Sequence, residues 1–121
     1  MGNPNCELVS GDVNYRFEAQ PAAPMGASCS VVFSANGNDA KYAFPPLMDC
    51  GSALSEDCSV VSGPRPARCK LKGCQVSLEF LGASGQELFR YLGQESIAYT
   101  IICDDATVQD GTLGPTYTCA Q

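Results

Sequence analysis

The sequence predicts a mainly β domain, a small antiparallel sandwich or barrel with at most one short helix, stapled by disulfides. Three observations carry this expectation. Apolar residues recur at every second position in four segments, Pro and Gly punctuate the chain between them, and eight cysteines are spread over 121 residues. Period-two alternation puts apolar side chains on one face of a strand and polar ones on the other. The length suits one core and leaves nothing for a second, so residues 1–121 read as a single domain.

Residues 1–5, Met-Gly-Asn-Pro-Asn, carry no apolar stretch. They read as a disordered or added extension, with Met1 an initiator placed before a mature N-terminus. Glu7–Ser10 is a weak strand candidate. In the first clear strand Val13, Tyr15 and Phe17 alternate with Asn14, Arg16 and Glu18. A Pro- and Ala-rich connection, Gln20–Gly26, leads to a second strand on Cys29, Val31 and Phe33, closed by the turn signal Asn36-Gly37. Lys41–Phe44 is a weaker strand. Residues 45–74 carry four cysteines and little periodicity beyond a weak strand at Ser59–Ser62. Pro45-Pro46 and Gly63-Pro64-Arg65-Pro66 must be loops, so this region is expected to be irregular and pinned by disulfides. The strongest strand pattern follows, with Cys74, Val76, Leu78 and Phe80 against Gln75, Ser77 and Glu79. Gln86–Leu92 fits a short helix with Ser84 as N-cap and Gly93 at its end, or equally a strand. Ile97, Tyr99, Ile101 and Cys103 form the next strand, and Thr116–Cys119 a weak last one.

The eight cysteines are Cys6, Cys29, Cys50, Cys58, Cys69, Cys74, Cys103 and Cys119, with no Cys-x-x-Cys and no His among the residues. Zinc ribbons and thioredoxin-like sites need that local pair, so a disulfide framework is the stronger reading and no metal is expected. Disulfides persist outside the reducing cytosol, which points to a secreted, extracellular protein. Cys29, Cys74, Cys103 and Cys119 lie in phase with apolar side chains, placing their sulfurs on the core side. Eight cysteines allow on the order of a hundred pairings; Cys50–Cys58 and Cys103–Cys119 are the expected bridges because both close short loops. Each native bridge contributes about 2–4 kcal/mol.

A net charge of −6 argues against nucleic acid as a partner, since phosphate attraction needs a surplus of Lys and Arg. No run is long enough to insert in a membrane as a helix, and the acidity favours a monomer. Without His, neither a Ser-His-Asp nor a Cys-His site can form, so no catalytic residue and no cofactor is expected. Carboxylate-only glycosidase chemistry stays open in principle. However, Asp104-Asp105 and Glu56-Asp57 are neighbours that point to opposite faces of a strand and read as surface charge. The run Asp104 to Gly111 suggests calcium, but Ala106 and Val108 stand where ligands are needed.

The sharper feature is basic. Arg65, Arg68, Lys70 and Lys72 are four of the chain's seven cations, gathered in residues 65–72. The plainest reading is a solvated loop balancing nearby acids. With prolines pre-setting the loop and Cys69 and Cys74 anchoring it, the same residues make a candidate binding site for an anionic partner. A protease inhibitor presenting Arg65 or Arg68 to an acidic specificity pocket is an alternative.

The even cysteine set, the alternation Cys74-Gln-Val-Ser-Leu-Glu-Phe80, and the ending from Tyr99-Thr-Ile-Ile-Cys103 to Thr118-Cys119 together resemble the small cysteine-rich effectors of plant-associated fungi. Among these the likeness is to hypersensitive-response-inducing elicitors. The resemblance implies a non-enzymatic virulence protein that a host protein or cell-surface component binds, provoking defence or cell death. A carbohydrate-binding or carboxylate-based glycan-active protein is the remaining alternative. Its sugar platform would come from Tyr15, Tyr42, Tyr91, Tyr99 or Tyr117 because Trp is absent.

Overall fold

In a computed structural model, residues 11–52 and 55–119 are described. Ten strands and one helix follow in the order β1 (Gly11–Ala19), β2 (Cys29–Ala35), β3 (Asn38–Ala43), β4 (Ser55–Asp57), β5 (Ser59–Ser62), β6 (Arg68–Lys72), β7 (Gln75–Phe80), α1 (Ala83–Leu92), β8 (Ile97–Cys103), β9 (Val108–Leu113) and β10 (Thr116–Cys119). They form two five-stranded sheets, β10-β1-β7-β6-β4 and β5-β3-β2-β8-β9, in which neighbours pair antiparallel. Of the two predicted architectures, sandwich or barrel, the sandwich is the one adopted.

Alternation puts the expected side chains inside. Val13, Tyr15 and Phe17 of β1 and Val76, Leu78 and Phe80 of β7 face Val31 and Phe33 of β2, Tyr42 of β3 and Ile97 and Ile101 of β8, all buried. The two layers interlock through rings. Phe33 lies edge-on to Phe17 at 5.6 Å and to Phe80 at 6.0 Å, Phe80 meets Tyr42 at 5.6 Å, and Phe17 meets Tyr99 at 4.9 Å. Edge-to-face pairs add about 0.5–1.5 kcal/mol each beyond burial, because the positive ring edge meets a negative face.

Asn36 and Gly37 both have positive φ, 52° and 80°, the geometry of the two-residue turn that matches strand twist. This turn also serves the helix. The Asn36 amide donates to the Leu92 carbonyl at 2.8 Å and the Asn38 amide to the Tyr91 carbonyl at 2.9 Å, satisfying orphan groups of the last turn. Gly93, with φ 75°, ends α1 as expected. The N-cap is not Ser84. The helix begins earlier, with Gly82 at the cap, and the Ser84 hydroxyl instead accepts from the N–H of Leu81, the residue before the cap, at 2.8 Å.

Gly85 marks where α1 presses on β1. A Cβ there would collide with the Val13 carbonyl and stand 3.0 Å from the Phe80 carbonyl oxygen, both backbone atoms that cannot rotate away. Gly85→Ala should therefore destabilise by about 2–3 kcal/mol of overpacking, outweighing the roughly 1 kcal/mol by which Ala improves a helix. Thermal unfolding should show a clear drop in Tm, with Gly114→Ala, where the added carbon meets nothing within 4 Å, as the neutral control.

Three disulfides lie among the described residues: Cys29–Cys103, Cys50–Cys74 and Cys58–Cys69. Such bridges mark a chain that matures in an oxidising compartment. Both expected pairs are corrected. Cys103 faces Cys29 in register across β8 and β2, Cα atoms 4.0 Å apart, whereas Cys119 belongs to β10 in the other sheet. Cys50 lies on the segment that runs along the β6–β7 turn, where Met48 N–H bonds the Gly73 carbonyl, so Cys74 is its neighbour. Cys58 sits between β4 and β5 with its N–H on the Cys69 carbonyl at 3.1 Å. The strand candidate Glu7–Ser10, the extension 1–5 and Cys6 lie outside the described residues, as does the side chain of Cys119.

Candidate functional site: a basic face and groove

The region expected to be irregular carries β4, β5 and β6. Three of the four singled-out cations, Arg68, Lys70 and Lys72, are not in a loop but on β6. There they occupy alternate positions on the solvent side while Leu71 is buried. Strand geometry spaces them about 6.6–6.8 Å apart. Arg65 is exposed in the preceding connection and lines one groove together with Arg68 and Lys70, while Lys72 continues their row on β6.

Neighbouring strands extend this face. Arg68 is opposite Glu79 of β7, which is opposite Arg16 of β1. Arg16 and Arg68 flank the Glu79 carboxylate at 3.7 Å each, with their side chains about 70% exposed. Exposed pairs at that distance are worth little and leave both guanidinium groups free to meet a partner. Lys70 stands between Ser77 and Asp57 of β4, and Glu18 accepts a bond from Gln75 at 2.9 Å. Arg16 was missed in the sequence. Its alternation placed it on an outer face, but only strand order makes it a neighbour of Arg68.

Two depressions flank Arg68 and Lys70. One, of about 250 Å³, lies over the sheet between Arg16, Glu18, Ser77 and Glu79. The other, of about 350 Å³, is bounded by Arg65, Arg68, Lys70 and Asp57, with Pro66, Val60 and the Cys58–Cys69 bridge as its apolar wall. It opens where β4 and β5, the outermost strands of their sheets, succeed each other.

The connection carrying Arg65 is held at several points. Cys58–Cys69 closes its base, Pro66 is buried, Ala67 N–H donates to the Glu79 carbonyl at 2.8 Å, and the Tyr42 hydroxyl donates to the Pro64 carbonyl at 2.6 Å. Gly63, with φ 94°, comes so close to β3 that a Cβ would stand 2.6 Å from that of Ala40. Burial, with a smaller contribution from Tyr91, pushes the Tyr42 hydroxyl far above the ordinary tyrosine range. Because the folded state resists ionising Tyr42, its contribution is intact below about pH 10 and falls as pH rises above that unfolded-state value. Urea midpoints should decline through this alkaline window, and Tyr42→Phe should flatten the decline while costing about 0.5–1.5 kcal/mol at neutral pH from the lost bond.

The acidic run from Asp104 is the β8–β9 turn and the start of β9. Its carboxylates are engaged separately: Asp104 accepts from Ser28 N–H, Asp105 from Thr107 N–H, and Asp110 from the Thr100 hydroxyl. Bonds from Thr107, its side chain first, hold the Asp105 carboxyl below its usual range. Among the described residues, no three potential ligands cluster for a metal ion. Of the tyrosines, Tyr15 and Tyr42 are buried, Tyr99 packs on Phe17, and exposed Tyr91 bonds the Asp39 carbonyl at 2.8 Å. The side chain of Tyr117 lies outside the described residues.

Fold and face together define a disulfide-stapled β-sandwich with a cationic groove at one side. No family, curated protein or solved structure matches the chain.

Proposed function

We propose that this chain is a secreted, non-enzymatic protein that acts by being recognised, an elicitor or virulence protein bound by a host plant surface component. The observation that carries the reading is the concentration of Arg65, Arg68, Lys70, Lys72 and Arg16 on one face of a net acidic chain. A local surplus of positive charge, here five cations interspersed with Glu18, Asp57 and Glu79, steers and orients protein partners, and the groove walls are held by a disulfide. Arg is also among the residues enriched where binding energy concentrates. Disulfides buried within the core, as at Cys29–Cys103, suit survival among extracellular proteases.

Infiltrating the purified protein into leaves tests the reading. The native protein should provoke defence or cell death, and reduced, alkylated protein should not. No response at micromolar dose would contradict it.

The inhibitor reading draws support from Arg65, exposed in a restrained connection. It is weakened by Pro66, whose buried ring holds the residue after Arg65 against the body of the protein, where a protease cleft must close around it. Trypsin titrated with the wild type and with Arg65→Ala decides it: equal, uninhibited rates remove this reading.

A further inference from the structure

The groove beside the Cys58–Cys69 bridge has a shape and charge that specify more than a generic partner. We infer that it docks an acidic segment of a protein, with an apolar side chain of that segment seated against Pro66 and Val60 and flanking carboxylates on Arg65, Arg68 and Lys70. This rests on the proposed function and names the chemistry of the partner.

Charge comes first. Among the described residues, three cations and one carboxylate, Asp57, line the groove, while the chain as a whole carries −6. Arg65 and Lys70 take part in neither of the ion pairs found among the described residues, and Arg68 shares Glu79 with Arg16 at 3.7 Å. A carboxylate entering the groove therefore meets guanidinium groups with donors to spare, and Arg forks suit carboxylates in bidentate fashion.

The wall decides between anions. A pyrrolidine ring, a half-buried valine and a disulfide offer an apolar surface to an aliphatic side chain. Among the described residues, no aromatic ring lines the groove to stack on a sugar or a base. At about 350 Å³ it sits at the small end of ligand pockets, room for an anchor side chain and not for a folded element. An extended segment fits the place as well, because the groove opens where the edge strands of both sheets lie.

A fluorescein-labelled peptide alternating Glu and Leu is the probe, read by anisotropy, with its Gln-for-Glu counterpart and a heparin-derived oligosaccharide as comparisons. The Glu-Leu peptide should bind, weaken as salt rises, and lose at least about tenfold in affinity in the Arg65→Glu/Arg68→Glu/Lys70→Glu variant. Reversing Lys41 and Arg90, away from the groove, should change little. Should the triple variant unfold, amide shifts of Ala67 and Cys69 in the wild type on peptide addition replace it. No binding, equal binding by the triple variant, equal binding of the Gln peptide, or binding of the oligosaccharide alone overturns the inference. These outcomes are independent of the leaf response: a leaf response without peptide binding removes the groove's partner and leaves the elicitor reading standing. Peptide binding without a leaf response does the reverse.

Discussion

Replacing Cys29 and Cys103 together by Ala should produce the largest loss of stability of any bridge deletion among the three described. The residues are 74 apart in sequence, so the bridge closes the longest loop. In the chain-entropy view a cross-link of that span is worth about 4.5 kcal/mol, against about 2.8 kcal/mol for Cys58–Cys69, whose separation is 11. Both sulfurs of Cys29–Cys103 are also core atoms, 2% and 3% exposed as residues, so truncation leaves a void as well. Urea unfolding of the two double variants, without reductant, should rank them in this order. An equal loss, or a larger one for Cys58→Ala/Cys69→Ala, would show that the bridge does not join the middle of the second sheet as described.

Phe33→Ala should rival it, at about 3–5 kcal/mol. Phe33 is fully buried on β2 and stands between the sheets, against Phe17 and Phe80 of one layer and Tyr42 of its own. Removing the ring strips three aromatic contacts at once and leaves a cavity that two disulfide-braced sheets cannot collapse. Typical domains have about 5–15 kcal/mol in total, so the variant should be near its limit of stability. Phe33→Leu, which keeps most of the volume, should cost much less. Denaturant midpoints check both, and a cost under about 1 kcal/mol for Phe33→Ala would contradict the interlocked packing.

Much of this core was legible because alternation is a property of the strand itself. Val13, Tyr15 and Phe17, or Val76, Leu78 and Phe80, announce a buried face whatever they pair with, and Asn36-Gly37 announces its turn. Strand β6 carried the same signal in Arg68, Lys70 and Lys72, with Cys69 and Leu71 between. It was obscured because the conspicuous face was charged and the preceding prolines suggested a loop throughout. β9 was hidden for a different reason: on an edge strand Val108 is exposed, Gly111 lies under the Tyr99 ring, and little apolar period remains to read. The disulfides were beyond sequence reasoning. Short loops favour Cys50–Cys58 and Cys103–Cys119, but strand order puts Cys29 beside Cys103 and Cys58 beside Cys69. The candidate site divides along the same line. Its cations were visible as a cluster, while Arg16, the walls of the groove and the side on which they meet depend on which strands are neighbours.

The groove and the proposed function meet in one comparison: leaf infiltration with the wild type and with Arg65→Glu/Arg68→Glu/Lys70→Glu, at equal dose and with matched thermal unfolding. The expected result is cell death or a defence response with the wild type and its loss with the variant. A folded variant as potent as the wild type would contradict recognition through the basic groove.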